Sequence, residues 1–173
     1  MLAGPIDFTP GIFNIKFDEY RSENQVNTTL AQQLALYVVI YSPVQMAADL
    51  VEHYEANSAP LQFIKDVGVD WYETKILNGE IGDFVTVARK ERETEKWFLG
   101  SITDENSREL ILNLNFLDKE TTYEATIYKD GENAHWDENP LDLVIEKKDV
   151  TSKSKLNIKL AAGGGVAVSF HKK

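Results

Sequence analysis

The chain has 173 residues, 43% hydrophobic and 27% charged, with a formal net charge of −10 and an isoelectric point near 4.8, which suits a globular protein of one or two domains. The acidity, with no basic run or basic helix, excludes nucleic acid and anionic membrane surfaces as partners, and no stretch reaches the roughly 18 to 20 apolar residues of a membrane span. The absence of cysteine excludes a disulfide framework and a thiolate metal site.

At the N-terminus, the basic and apolar regions of a signal peptide are missing. Leu2 to Ile6 is a short apolar run that ends at Asp7 and is followed by the turn sequence Phe8-Thr9-Pro10-Gly11. Residues 14–26 are polar and read as a surface loop. Leu30, Leu34, Tyr37, Val38 and Tyr41 then share one helical face, and Thr29 with Gln32 has the form of a capping box. Apolar character closes round the helix from Leu34 to Tyr41, so both of its sides must be covered. Ser42-Pro43 stops it. Val44 to Ala48 reads as a short strand tipped by Asp49, and Pro60 to Val67 as a second helix, with Pro60 at its first position and Gly68 as its cap.

A short strand carrying an acid at its tip, followed by a helix, is the unit of a (β/α)8 barrel, whose functional groups sit at the C-terminal ends of the strands. Residues 1–68 are therefore expected to be the last βα units of such a barrel. From Val69 the period changes to two. Eight short runs, Asp70–Leu77, Phe84–Arg89, Trp97–Ile102, Glu109–Phe116, Tyr123–Tyr128, Leu141–Lys147, Leu156–Leu160 and Val166–Phe170, are separated by turn chemistry. They predict an antiparallel β-sandwich over 69–173, of a size expected to fold alone. The fold class is α+β and mainly β.

Asp7 and Asp49 are the candidate functional residues. Paired carboxylates suit glycoside chemistry, one as acid and one as base or nucleophile; the plainer alternative is that each caps the turn or helix that follows it. His53, His135 and His171 have no second histidine at metal-ligand spacing. Asp130-Gly-Glu-Asn133 lacks the later ligands of a calcium loop and reads as a hairpin turn. Gly163-Gly164-Gly165 is followed by neither Lys-Ser/Thr nor a helix and reads as a turn, not a phosphate loop. Of the tryptophans, Trp97 lies in an apolar strand and is expected in the core, and Trp136 is expected outside.

LAGPIDFTPGIF (2–13), TLAQQLALYVVIYSPVQMAADL (29–50), QFIKDV (62–67), DWYETKILNGEIGDF (70–84), WFLGSITDENSREL (97–110) and the closing GGGVAV resemble the C-terminal part of glycoside hydrolase family 97. The resemblance implies part of an α-glucosidase or α-galactosidase acting on oligosaccharides, retaining or inverting, in a periplasmic or secreted setting. It also implies that the catalytic glutamates and the ligands of a calcium ion lie upstream of the segment matching Leu2–Phe13, so that no residue here is catalytic or metal-binding and the chain alone is inactive. Asp7 and Asp49 would then touch substrate or fix loops. The alternative is a non-catalytic, sugar-binding or structural β-sandwich. An uncovered apolar helix from Leu34 to Tyr41 would drive self-association, so a homodimer through it is expected.

Overall fold

The computed structural model describes residues 5–16 and 24–173. Leu2 to Gly4 of the first expected strand and part of the 14–26 loop fall outside them. Three helices come first, α1 (Leu30–Val39), α2 (Val51–Ala56) and α3 (Ser58–Asp66). Eight strands follow: β1 (Trp71–Glu80), β2 (Phe84–Glu91), β3 (Trp97–Thr103), β4 (Arg108–Asn113), β5 (Tyr123–Asp130), β6 (Leu143–Val150), β7 (Lys155–Leu160) and β8 (Gly165–Lys172). A six-stranded sheet runs β1-β2-β3-β8-β5-β6, and β4 pairs with β7 in a second sheet. Every pairing between these strands is antiparallel.

Each of the eight expected strands is present, with ends shifted by a few residues. The barrel-like part differs from expectation. In place of strands at Ile6 and Val44–Ala48 there is a single parallel bridge, Phe8 to Gln45. The second helix begins two residues early at Ser58, and the short α2, which has only Tyr54 buried, carries no apolar stripe by which the sequence could reveal it.

The two faces of the large sheet have different covers. On one face the β4–β7 pair closes a sandwich core, in which Leu112, Leu114, Phe116, Leu156, Ile158 and Leu160 meet Trp97, Leu99, Ile127, Val166, Val168 and Phe170. On the other lies α1, where Leu34, Ala35, Tyr37 and Val38 share a second core with Phe98, Tyr128 and Ala167 of the sheet and with Phe13, Ile15, Tyr54 and Phe63. This explains the patterning. Strands β3 and β8 are buried along nearly their whole length because protein covers both faces, whereas β7 alternates. Gly100 lets the helix come close: a Cβ there would lie 2.6 Å from the Ala35 carbonyl oxygen, and one at Gly165 would lie 2.7 Å from the Gln32 Cα.

The apolar helix is thus covered from within its own chain. Leu34, Ala35, Tyr37 and Val38 are fully buried, which leaves the expected homodimer through Leu34–Tyr41 without support. Only Leu36, Ile40 and Tyr41 of that stretch are half-buried.

The sheet also holds both ends of α1. At the N-terminus, Thr29 Oγ1 accepts from the Gln32 amide and donates to Asp130 Oδ1 at 2.6 Å, while the Thr29 and Leu30 amides donate to the carbonyls of Gly163 and Pro140. Only half of the expected capping box forms, because Gln32 Nε2 donates to the Thr103 carbonyl instead of turning back. At the C-terminus, Arg89 of β2 donates to the carbonyls of Val38 and Val39.

Candidate functional site

The candidate acids sit beside a turn, residues 8–14, that lies against α1 and the segment 44–49. The bridge between Phe8 and Gln45 aligns the two segments, and the Ala48 amide donates to the Pro10 carbonyl at 3.1 Å. Gly11 takes a positive φ of 88° that a side chain would resist.

Four side chains fix the turn. Gln33 Oε1 accepts from the Gly11 and Ile12 amides at 3.0 and 3.2 Å, and its Nε2 donates to Thr28 Oγ1. The Tyr37 hydroxyl lies 3.1 Å from the Pro10 carbonyl and 3.2 Å from that of Met46, and its single proton can serve one of them at a time. Burial pushes the Tyr37 pKa well up. Tyr54 donates to the Gly11 carbonyl at 2.7 Å and accepts from the Asp49 amide; burial raises its pKa too.

Asp49 is the fourth. Its Oδ2 accepts from the Phe13 and Asn14 amides at 2.7 and 2.6 Å. Its Oδ1 accepts from the Leu50 amide at 2.8 Å and lies 2.5 Å from His53 Nδ1. A carboxylate has about four acceptor positions, and all are taken. The side chain is 7% exposed. Burial pushes its pKa up, but the bonds from Asn14, His53, Leu50 and Phe13 outweigh burial and hold it below the usual carboxylate value. Asp49 is therefore ionised and committed to backbone, closing the turn and leading into α2.

Asp7 is exposed, next to the bridged Phe8. The two candidates thus have different surroundings, Asp7 open to solvent and Asp49 enclosed by backbone amides. Gln33 and Tyr54 do not stand out in the sequence, and Tyr37 does so only as part of the apolar helix face; an amide inside an otherwise apolar helix is the available signal for Gln33. Among the described residues, no three acidic or histidine side chains converge to hold a metal ion. No helix of the described residues is long and apolar enough to cross a membrane.

Residues 70–171 match the family described as "Glycosyl-hydrolase 97 C-terminal, oligomerisation". The chain is 34% identical over 173 residues to a retaining alpha-galactosidase of Bacteroides thetaiotaomicron, covering 98% of this chain and 25% of that one. It is 27% identical to a probable retaining alpha-galactosidase of Streptomyces bingchenggensis, over 96% of this chain and 23% of that one. In structure it resembles a glycoside hydrolase family 97 enzyme from Pseudoalteromonas sp. strain K8, seen in complex with acarbose, with a TM-score of 0.94 and 51% identity over 99% of this chain and 27% of that chain. A beta-arabinopyranosidase shares the fold at a TM-score of 0.77 and 22% identity. The chain spans about a quarter of the length of the curated relatives it matches. By sequence match and by fold, it belongs to the glycoside hydrolase 97 C-terminal family.

Proposed function

We propose that this chain works as the C-terminal portion of a retaining α-glycoside hydrolase acting on oligosaccharides, with the catalytic carboxylates supplied by the rest of a barrel. In this reading residues 1–68 are the closing βα units, α1 and α2–α3 are outer barrel helices, and residues 69–173 are a sandwich that braces them. The observation that carries it is the 51% identity to a family 97 enzyme over 99% of the chain. Retention is suggested by the names of the curated relatives, and contribution to oligomerisation by the family's description. Calcium, if the whole enzyme uses it, belongs to the other part of the molecule, and a periplasmic or secreted location goes with the same reading.

Within that enzyme the turn at 8–14 lies after one barrel strand and Asp49 after the next, at the end where substrate is handled. Asp49 is proposed to position the turn, and Asp7, exposed beside it, to meet a sugar hydroxyl. By itself the chain would not hydrolyse glycosides, because two carboxyls must flank the scissile bond and Asp49 is spent on backbone amides. The test compares this chain with the full-length enzyme on p-nitrophenyl α-galactoside and α-glucoside. Turnover by the full-length enzyme alone is expected. Turnover by this chain that disappears in Asp7→Asn or Asp49→Asn would overturn the reading.

A further inference from the structure

Beside α1 the helix-covered face of the large sheet is left bare at one corner. There a cavity of about 920 Å³ opens, floored by Ile76, Phe84 and Ile102 and walled by Val39, Tyr41 and Ile6. Ile76 is 52% exposed, and Ile81, at the tip of the β1–β2 turn, is 102% exposed. Such side chains are stabilised by leaving water, so two isoleucines left open beside a cavity point to a missing cover. The rim is acidic. Asp83 and Asp104 are both engaged by Arg108, while Glu80 stands on the same rim.

The other flank of α1 shows what kind of element belongs there. On that side α3 packs against the same sheet, with the Phe63 ring 6.2 Å from Phe98 and 5.3 Å from Tyr128. Outer helices of a (β/α) barrel stand side by side, so a helix with one neighbour at α3 requires another on its open side. The Ile6 amide donates to the Tyr41 carbonyl at 3.1 Å, which brings the chain at Ile6 to the cavity wall.

We infer that this cavity is the seat of the barrel helix that precedes Ile6 in an enzyme of the relatives' length, a helix presenting aliphatic side chains to Ile76 and Ile81 and a basic residue to Glu80. This deepens the proposed function and rests on it. The sandwich would then grip three consecutive barrel helices, with α1 in the middle.

The test places a photoreactive benzoylphenylalanine at Ile81 in the full-length enzyme and identifies the cross-linked peptide. A cross-link within one molecule to the helix ahead of Ile6 is expected. A cross-link to a second copy, or none from folded protein, would overturn the inference. A second measurement uses Ile76→Asp with Ile81→Asp. It should leave the unfolding midpoint of the 173-residue chain unchanged, since both side chains are open there, and lower that of the full-length enzyme. Equal effects in both would contradict the assignment. Hydrolysis by the unmodified full-length enzyme is read separately, so failure of the glycosidase reading is told apart from failure of this contact.

Discussion

Arg89 Nε donates to the Val38 carbonyl oxygen at 2.6 Å, from the second strand of the sheet to the last turn of α1. The same guanidinium reaches Val39 and Thr74 Oγ1 and lies over the rings of Tyr41 and Trp71. Burial lowers its pKa, but an arginine stays charged. A cation at the carbonyl end of α1, with Asp130 at its amide end through Thr29, matches both poles of the helix dipole.

Replacing Arg89 by Ala removes these donors and leaves two helix carbonyls buried without partners. Bonds to charged groups contribute about 1.5 to 3 kcal/mol and an orphaned buried acceptor costs a similar amount. Arg89→Ala should therefore destabilise by about 3 kcal/mol in urea unfolding. Arg89→Lys should restore only part of this, since one ammonium cannot replace the planar fork.

Asp130 should make stability depend on pH. Burial raises its pKa from 3.8 to about 6, against the lowering effect of bonds from Thr29, Ala161 and Gly165, and Asp142 adds to the rise. The folded protein thus holds this proton more tightly than the unfolded chain. Its contribution to stability is full below about pH 4 and is lost as pH rises through about 6. Asp130→Asn should flatten that segment of the pH–stability curve, so that the difference between wild type and variant changes by on the order of 2 to 3 kcal/mol across it. A wild-type curve parallel to that of the variant between pH 4 and 7 would count against it.

Gly100→Ala probes the helix–sheet contact. The added methyl would fall 2.6 Å from the Ala35 carbonyl and 2.9 Å from the Val38 Cβ. The Ala35 carbonyl is backbone and cannot swing aside, so α1 must lift. A loss of about 1 to 3 kcal/mol is expected, with faster amide exchange in α1 as its signature.

The strands were legible because turn residues and short apolar runs alternate from Val69 onward, and the apolar helix because its whole circumference is apolar. What covers that helix was not legible. Gly100, Ala167 and Phe98 look like ordinary strand residues, and nothing local says that they form a seat for a helix far earlier in the chain. The strand expected at Val44–Ala48 shrinks to one bridge between Phe8 and Gln45, a pairing that depends on neighbours which sequence does not place, while most of the strand expected at Leu2–Ile6 lies outside the described residues. Asp49 was legible as a polar tip to an apolar run; that its four acceptor positions face Phe13, Asn14, Leu50 and His53 is a property of the folded turn. Asp130 read as half of an Asp-Gly turn, while its carboxylate ties the β7–β8 turn to the helix cap.

Asp49→Asn should loosen residues 13–14 without unfolding the chain. An amide keeps one oxygen acceptor and offers a donor where Phe13 and Asn14 present theirs. Amide exchange at Phe13 and Asn14 should speed up at least tenfold, the equivalent of about 1.4 kcal/mol, while exchange in β3 and β8 stays as it was. In the full-length enzyme the same change should raise KM more than it lowers kcat.

We hold that α1 and the sandwich are one cooperative body, through which the sheet anchors Phe13, Tyr54 and Phe63. Trp71 lies in the helix–sheet core and Trp97 in the sandwich core, so each can report one side. Variants retaining a single one of them, with Trp136 also replaced by Phe, are unfolded in urea while tryptophan fluorescence and far-UV circular dichroism are followed. In each variant the two signals are expected to superimpose in a single transition. A Trp71 transition that precedes loss of the strand signal would show the helix leaving a sandwich that stands without it, and would contradict the claim.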